Sequence, residues 1–176
     1  MNELFVQLPE DVIAYDFIEF ANANRYGLEI TCFAFPWTLD GDWKPLVHSY
    51  KQALKDFRNE IAIHGVFMDM ITASRDAKIV SVAKERILQN IEIAKQLKSK
   101  IVTFCSCFNP CIATGTPGYV DRYKLRQIRF WSEIVESIAR SSNLTLVFEN
   151  LWEPQPELVR DVLDSVKSEN FKALLD

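Results

Sequence analysis

Leu144-Thr145-Leu146-Val147-Phe148-Glu149-Asn150-Leu151 is the stretch that decides the fold. It is a short apolar run, too brief for a helix, and it ends on a carboxylate. That is how a strand buried on both faces reads. An acid at the end of such a run is costly to place unless it has a task. Two other runs repeat the device: Ile61-Ala62-Ile63 ends on His64, and Ala173-Leu174-Leu175 ends on Asp176. In a parallel sheet wrapped by helices the carboxyl ends of the strands share one face, and polar sites form there.

Outward from this stretch, strand-like runs alternate with amphipathic ones. Residues 4–8 form the first run, and a helix pattern over 11–24 places Ile13, Phe17 and Phe20 on one face. Gly27 ends that helical region, and residues 28–33 read as the second strand. Residues 38–42 read as loop, 43–57 as helix and 61–64 as strand. The clearest helix covers 76–98, with Ile79, Val82, Ala83, Ile87, Asn90, Ile91, Ala94 and Leu97 on its stripe. Residues 101–104 are the fourth strand. The Pro-, Gly- and Thr-rich stretch 106–119 reads as a long functional loop. A helix carrying Ile128, Trp131, Val135, Ile138 and Ala139 precedes the 144–149 strand. Pro154 and Pro156 open the next helix, whose stripe is Leu158, Val159, Val162, Leu163 and Val166, and residues 171–175 close the series.

This order predicts an α/β fold with right-handed crossovers and about six parallel strands with five helices. Two architectures fit: an open doubly wound sheet and a (β/α)8 barrel. The first turn, Leu8-Pro9-Glu10-Asp11, has none of the glycines that announce a phosphate-binding open sheet. Polar residues at several strand ends suit the barrel. A barrel has eight strands and typically ~250 residues. The expectation is therefore an incomplete (β/α)8 TIM barrel, a single partial domain over 1–176, that lacks its last quarter. Open sheet edges would favour a homo-oligomer or aggregation.

Composition narrows the partners. The chain is 48% hydrophobic and 25% charged, with a net charge of −4. That is an ordinary globular balance, and it argues against nucleic acid, which needs a basic face. The opening Met1-Asn2-Glu3-Leu4 carries no export signal, and no window suits a membrane span. A cytoplasmic location is expected, with Cys32, Cys105, Cys107 and Cys111 reduced. The spacing of the last three lacks the paired pattern of a structural zinc site. His48 sits mid-helix and is assigned no role.

The segments Gly27-Leu28-Glu29-Ile30, His64-Gly65-Val66-Phe67-Met68-Asp69-Met70, Phe148-Glu149-Asn150-Leu151 and Asn170-Phe171-Lys172-Ala173-Leu174-Leu175-Asp176 resemble the xylose-isomerase-like barrels. That family joins sugar isomerases and epimerases with an apurinic endonuclease branch. The resemblance implies a divalent metal (Mn, Mg, Co or Zn) held by Glu149 and Asp176. It gives Glu149 a second role as base and lets His64 hydrogen-bond or polarise the substrate. Trp37, Phe67 and Trp152 would wall a small-molecule sugar, with Glu29 as a further substrate contact. The implied reaction is proton transfer next to a carbonyl in a sugar or sugar phosphate, within carbohydrate metabolism.

Family members continue past the aspartate with further histidine and glutamate ligands, which this sequence does not supply. The endonuclease reading, a metal phosphodiesterase, calls for more histidines than His48 and His64, and Cys105 stands where that branch has one. A non-catalytic truncated barrel is the third reading. Each residue also has a plain role open to it: His64 as a bonded structural histidine, Glu29 as an ion-pair partner, Asp69 as a loop cap and Cys105 as an inert buried thiol.

Overall fold

The computed structural model describes residues 4–9, 12–67, 70–139 and 143–174, the side chain of residue 139 excepted. Six parallel strands alternate with helices: β1 (Phe5–Gln7), β2 (Gly27–Ile30), β3 (Ile61–His64), β4 (Ile101–Cys105), β5 (Thr145–Glu149) and β6 (Phe171–Leu174). Seven α-helices lie among the described residues: α1 (Tyr15–Asn24), α2 (Pro36–Asp40), α3 (Lys44–Ala53), α4 (Ala77–Leu97), α5 (Pro110–Gly115), α6 (Tyr119–Ala139) and α7 (Glu157–Val166). A 3-10 turn covers Cys32–Ala34.

The two helices beyond the expected five are α2 and α5. Both begin on proline at their first position, and Asn109 caps α5 by accepting the N–H of Ile112 at 3.1 Å. Their Gly-, Thr- and Asp-rich composition reads as loop in the sequence.

The chain divides into two compact units, Met1–Val66 with Arg86–Val102, and Phe67–Glu85 with Thr103–Asp176. In the first, β1, β2 and β3 pair in parallel, with Val6 opposite Leu28 and Ile30 opposite Ile63. The N–H of Lys100 donates to Ile61 O as β4 begins. Leu28, Ile30, Phe33, Ile63, Ile87 and Ile93 form its core. The α1 stripe differs from expectation. Ile18 and Ala21 are buried, whereas Phe17 and Phe20 are exposed. The helix starts at Tyr15 rather than at residue 11, so its inward face is set by a later phase.

Gly27 also has another reason than helix termination. Arg25 ends α1 in the left-handed conformation at φ 60°, its N–H capping Ala21 and Asn22 carbonyls. Gly27 lies in β2 opposite Phe5, and a Cβ there would meet the Phe5 ring at 2.5 Å. The glycine serves a close approach.

In the second unit, β5 and β6 are parallel, with Leu146 opposite Phe171 and Glu149 opposite Leu174. The N–H of Ser106, one residue past β4, donates to Glu149 O at 2.9 Å. Trp131 is fully buried, and its ring packs against Phe104, Phe148 and Phe171 with centroids 5.2–5.5 Å apart. In α7, Leu158, Val159 and Val162 face inward as the spacing predicts. The first turns of α4 do not follow their stripe: Ile79 and Val82 are exposed.

Each unit holds one fully buried amide that ties down chain leaving a strand. Asn90 Oδ1 accepts the N–H of Val66 at 2.9 Å, and its Nδ2 donates to Phe33 O at 2.8 Å. Gln127 Oε1 accepts Thr72 Oγ1 at 2.8 Å and Trp131 Nε1 at 3.0 Å, while its Nε2 donates to Ser106 O at 2.9 Å. Buried amides engaged at both the carbonyl and the nitrogen end fix one geometry. Here they fix the backbone two residues beyond His64 and one residue beyond Cys105.

Candidate active site

His64 is the last residue of β3 and half-buried. Its Nδ1 lies 3.2 Å from Glu29 Oε1, a side chain of β2 in the same unit. The pairing holds the imidazole through one ring nitrogen. Glu29 thus sits within the second strand with His64 as its partner, one of the two roles its sequence position left open. Trp37 is exposed in α2 and stacks on Phe35 with centroids 4.6 Å apart. His48 lies exposed in α3.

In the second unit, Glu149 is the last residue of β5. Its Oε2 accepts the Cys105 thiol at 3.0 Å. Cys105 closes β4 and is buried. Burial, then the hydrogen bond and charge of Glu149, then the charges of Cys107 and Glu153, push that thiol well above its ordinary range. The thiol is therefore a neutral donor to a carboxylate, not a free nucleophile. No lysine or arginine pairs with Glu149 among the described residues.

Beyond β5 the chain turns at Leu151, whose N–H donates to Glu153 Oε2 at 2.9 Å. The other oxygen of Glu153, Oε1, is buried without a hydrogen-bond partner among the described residues. Tyr123 is buried nearby and donates its hydroxyl to Ser106 O at 2.8 Å. Burial, then the charge of Glu153, raises its phenol well above the usual value.

His64, Cys105 and Glu149 all offer metal-ligating atoms at strand ends. The Glu149 carboxylate and the Cys105 sulfur are donors of the kinds a divalent cation takes. Phe67 is half-buried and Trp152 exposed. Asp176 and Asp69 lie outside the described residues. Sequence reading passed over Glu153, because a lone glutamate between Trp152 and Pro154 shows no periodicity that would mark it. Only the turn at Leu151 directs it inward.

The fold and its strand-end acids define an α/β barrel protein with polar residues on the carboxyl side of its strands. Residues 13–176 match the family described as xylose isomerase-like TIM barrel. The chain belongs to that family, as an incomplete barrel. No curated protein matches the sequence. Among solved structures, a D-tagatose 3-epimerase-like protein is similar at TM-score 0.77 and 21% identity, covering 99% of this chain and 65% of its own. A Thermus thermophilus protein soaked with ZnCl2 is similar at TM-score 0.71 and 21% identity, with the same coverage. D-psicose 3-epimerase from Clostridium cellulolyticum H10, solved with D-tagatose, has TM-score 0.74 and 16% identity over 99% of this chain and 63% of that one. The chain thus spans about two thirds of the length of these structures at most. No helix of the described residues is long and apolar enough to cross a membrane.

Proposed function

We propose that this chain carries the metal-binding part of a sugar isomerase or epimerase, acting by proton transfer next to a carbonyl. Membership of the family and the epimerases among its fold neighbours support the substrate class. The observation that carries the reading is Glu149. It ends a buried strand, its carboxylate accepts the Cys105 thiol, and no lysine or arginine among the described residues pairs with it. A divalent ion held there would stabilise negative charge on adjacent sugar oxygens.

The residues divide the work. Glu149 takes up the proton next to the carbonyl and returns it, a task for which a carboxylate needs a fixed position. The Ser106-to-Glu149 backbone bond and the Cys105 thiol supply that position. His64, oriented by Glu29, is the residue assigned to a substrate hydroxyl. Trp37, Phe67 and Trp152 are the apolar contacts for the sugar ring. Asp176 retains the ligand role the resemblance implies. Location in the cytoplasm and the metal's identity belong to the same proposal.

The test is manganese binding by calorimetry on the chain and on Glu149→Gln, alongside exchange of the ketohexose C3 proton with deuterated solvent. The reading expects binding that weakens at least about tenfold in the variant, with exchange lost as well. Equal affinity in both proteins removes Glu149 from the site.

A further inference from the structure

A cleft of about 510 Å³ opens in the second unit, between α6 and the start of α4 with the chain leading into it. It shares no residue with the strand-end site. Arg75, Arg126 and Arg129 line it, against one acid, Glu133. That acid is already met: Lys84 Nζ lies 3.1 Å from its Oε2, and Arg129 Nε lies 3.7 Å from its Oε1. Arg75 and Arg126 pair with no carboxylate among the described residues. In a chain of net charge −4, this concavity is a local surplus of cations.

Arg126 is held in place. It is half-buried, and its Nε donates to Ala73 O at 2.6 Å. The neighbouring Thr72 anchors that segment by donating its hydroxyl to the buried Gln127 amide at 2.8 Å. The guanidinium is thus fixed along one edge, and its remaining N–H donors are left for a ligand. Ser74 adds a hydroxyl. Its Oγ accepts the Asp76 N–H at 3.1 Å, which leaves its own proton to donate. The start of α4 is not what attracts an anion here, because Asp76 Oδ1 already takes the Lys78 N–H at 2.8 Å.

The rest of the lining is apolar: Ala77, Val80 and Phe130. Guanidinium forks match phosphate oxygens two at a time. A bare phosphate would leave most of the volume empty, whereas clefts of about 300–1,000 Å³ take organic ligands oriented by a few polar groups.

We propose that this cleft binds an organic diphosphate, its phosphates on Arg75 and Arg126 and its apolar body on Val80 and Phe130. A nucleoside diphosphate has that build. Binding requires no metal at the strand ends.

Calorimetric titration of the full chain in the presence of a chelator tests this, with ADP, inorganic pyrophosphate and adenosine as probes. ADP binds at one equivalent, pyrophosphate binds more weakly and adenosine does not bind. Arg75→Gln, a change at an exposed side chain, weakens ADP at least about tenfold. Arg126→Lys keeps the charge but loses the fork, and weakens ADP by a similar factor. Glu133→Gln removes the one acid and tightens ADP about threefold. Failure of both ADP and pyrophosphate to bind overturns the site. Adenosine binding as tightly as ADP overturns the phosphate anchor, and pyrophosphate matching ADP overturns the apolar seat. ADP affinity unchanged in both arginine variants puts the anion elsewhere and ends the proposal.

Discussion

Two strand carboxylates in this molecule live under opposite conditions. In the first unit Glu29 faces His64, a group that can carry the compensating charge. In the second unit Glu149 faces a thiol that holds its proton, and Glu153 follows with one oxygen unmet among the described residues. The first arrangement is complete as it stands; the second is complete only with something added. Ordinary structural acids look like the first, and sites look like the second.

The two units also differ in how their exits are clamped. Asn90 alone meets two backbone groups, Val66 N–H and Phe33 O. Gln127 shares more of its load, because Ser106 O also accepts from Tyr123 and the Thr72 hydroxyl can rotate, which leaves the buried Trp131 Nε1–H as the one group orphaned. The largest effect is therefore expected from Asn90→Ala, about 3–5 kcal/mol of unfolding free energy from two orphaned buried groups and a small cavity. Gln127→Ala should cost about 2–3 kcal/mol. Urea unfolding of both variants gives the order, and a larger loss for Gln127 would refute the shared-load argument.

The next effect is smaller and concerns the first unit alone. Gly27→Ala pushes a methyl into the Phe5 ring, at about 1–3 kcal/mol for overpacking. In a Phe5→Ala background the same change should be near neutral. A full cost that survives there would mean that backbone conformation, not the ring, demands glycine.

Alkaline pH acts on buried acids of both units, Cys105 and Tyr123 in the second as well as Cys32 and Tyr50 in the first, and Cys32 sets a distinct share. Burial pushes Cys32 up to about 11, with Tyr50 raised beside it by burial and by Cys32. The folded chain holds the Cys32 proton more tightly than the unfolded chain, whose value is 9.0. Its contribution is therefore full below pH 9 and is lost as pH climbs towards 11. Urea midpoints should fall by up to about 2 kcal/mol equivalent between pH 8.5 and 10.5. Cys32→Ala should remove that share and leave a shallower decline carried by Cys105, and an identical slope in the variant would take Cys32 out of the alkaline sensitivity.

Much of this was legible in the sequence because burial on both faces leaves a plain trace. β3 and β5 end on His64 and Glu149 as their apolar runs indicate. Helix phase was less legible. In α1 the exposed Phe17 and Phe20 are spaced like core residues, yet the start at Tyr15 turns Ile18 and Ala21 inward. Short helices such as α5 vanish into turn-like composition although Asn109-Pro110 marks their start. At the site, Glu149 could be read and Glu153 could not, since the first is placed by a strand and the second by a single backbone bond.

The smallest effect is a difference of sign. Glu29→Gln removes the ion-pair component opposite His64 and should lower stability by no more than about 1 kcal/mol, the range for a pair with partial solvent access. Glu149→Gln keeps an acceptor for the Cys105 thiol but removes a charge that no lysine or arginine among the described residues pairs with. In metal-free solution it should therefore leave stability unchanged or raise it by up to about 1 kcal/mol, as expected where binding groups are held against the fold's own preference. With cobalt present the order should reverse, because only the unmodified chain gains stability from a bound ligand. A loss in Glu149→Gln without metal, equal to that of Glu29→Gln, would show that both acids are structural and would erase the contrast between the two strands.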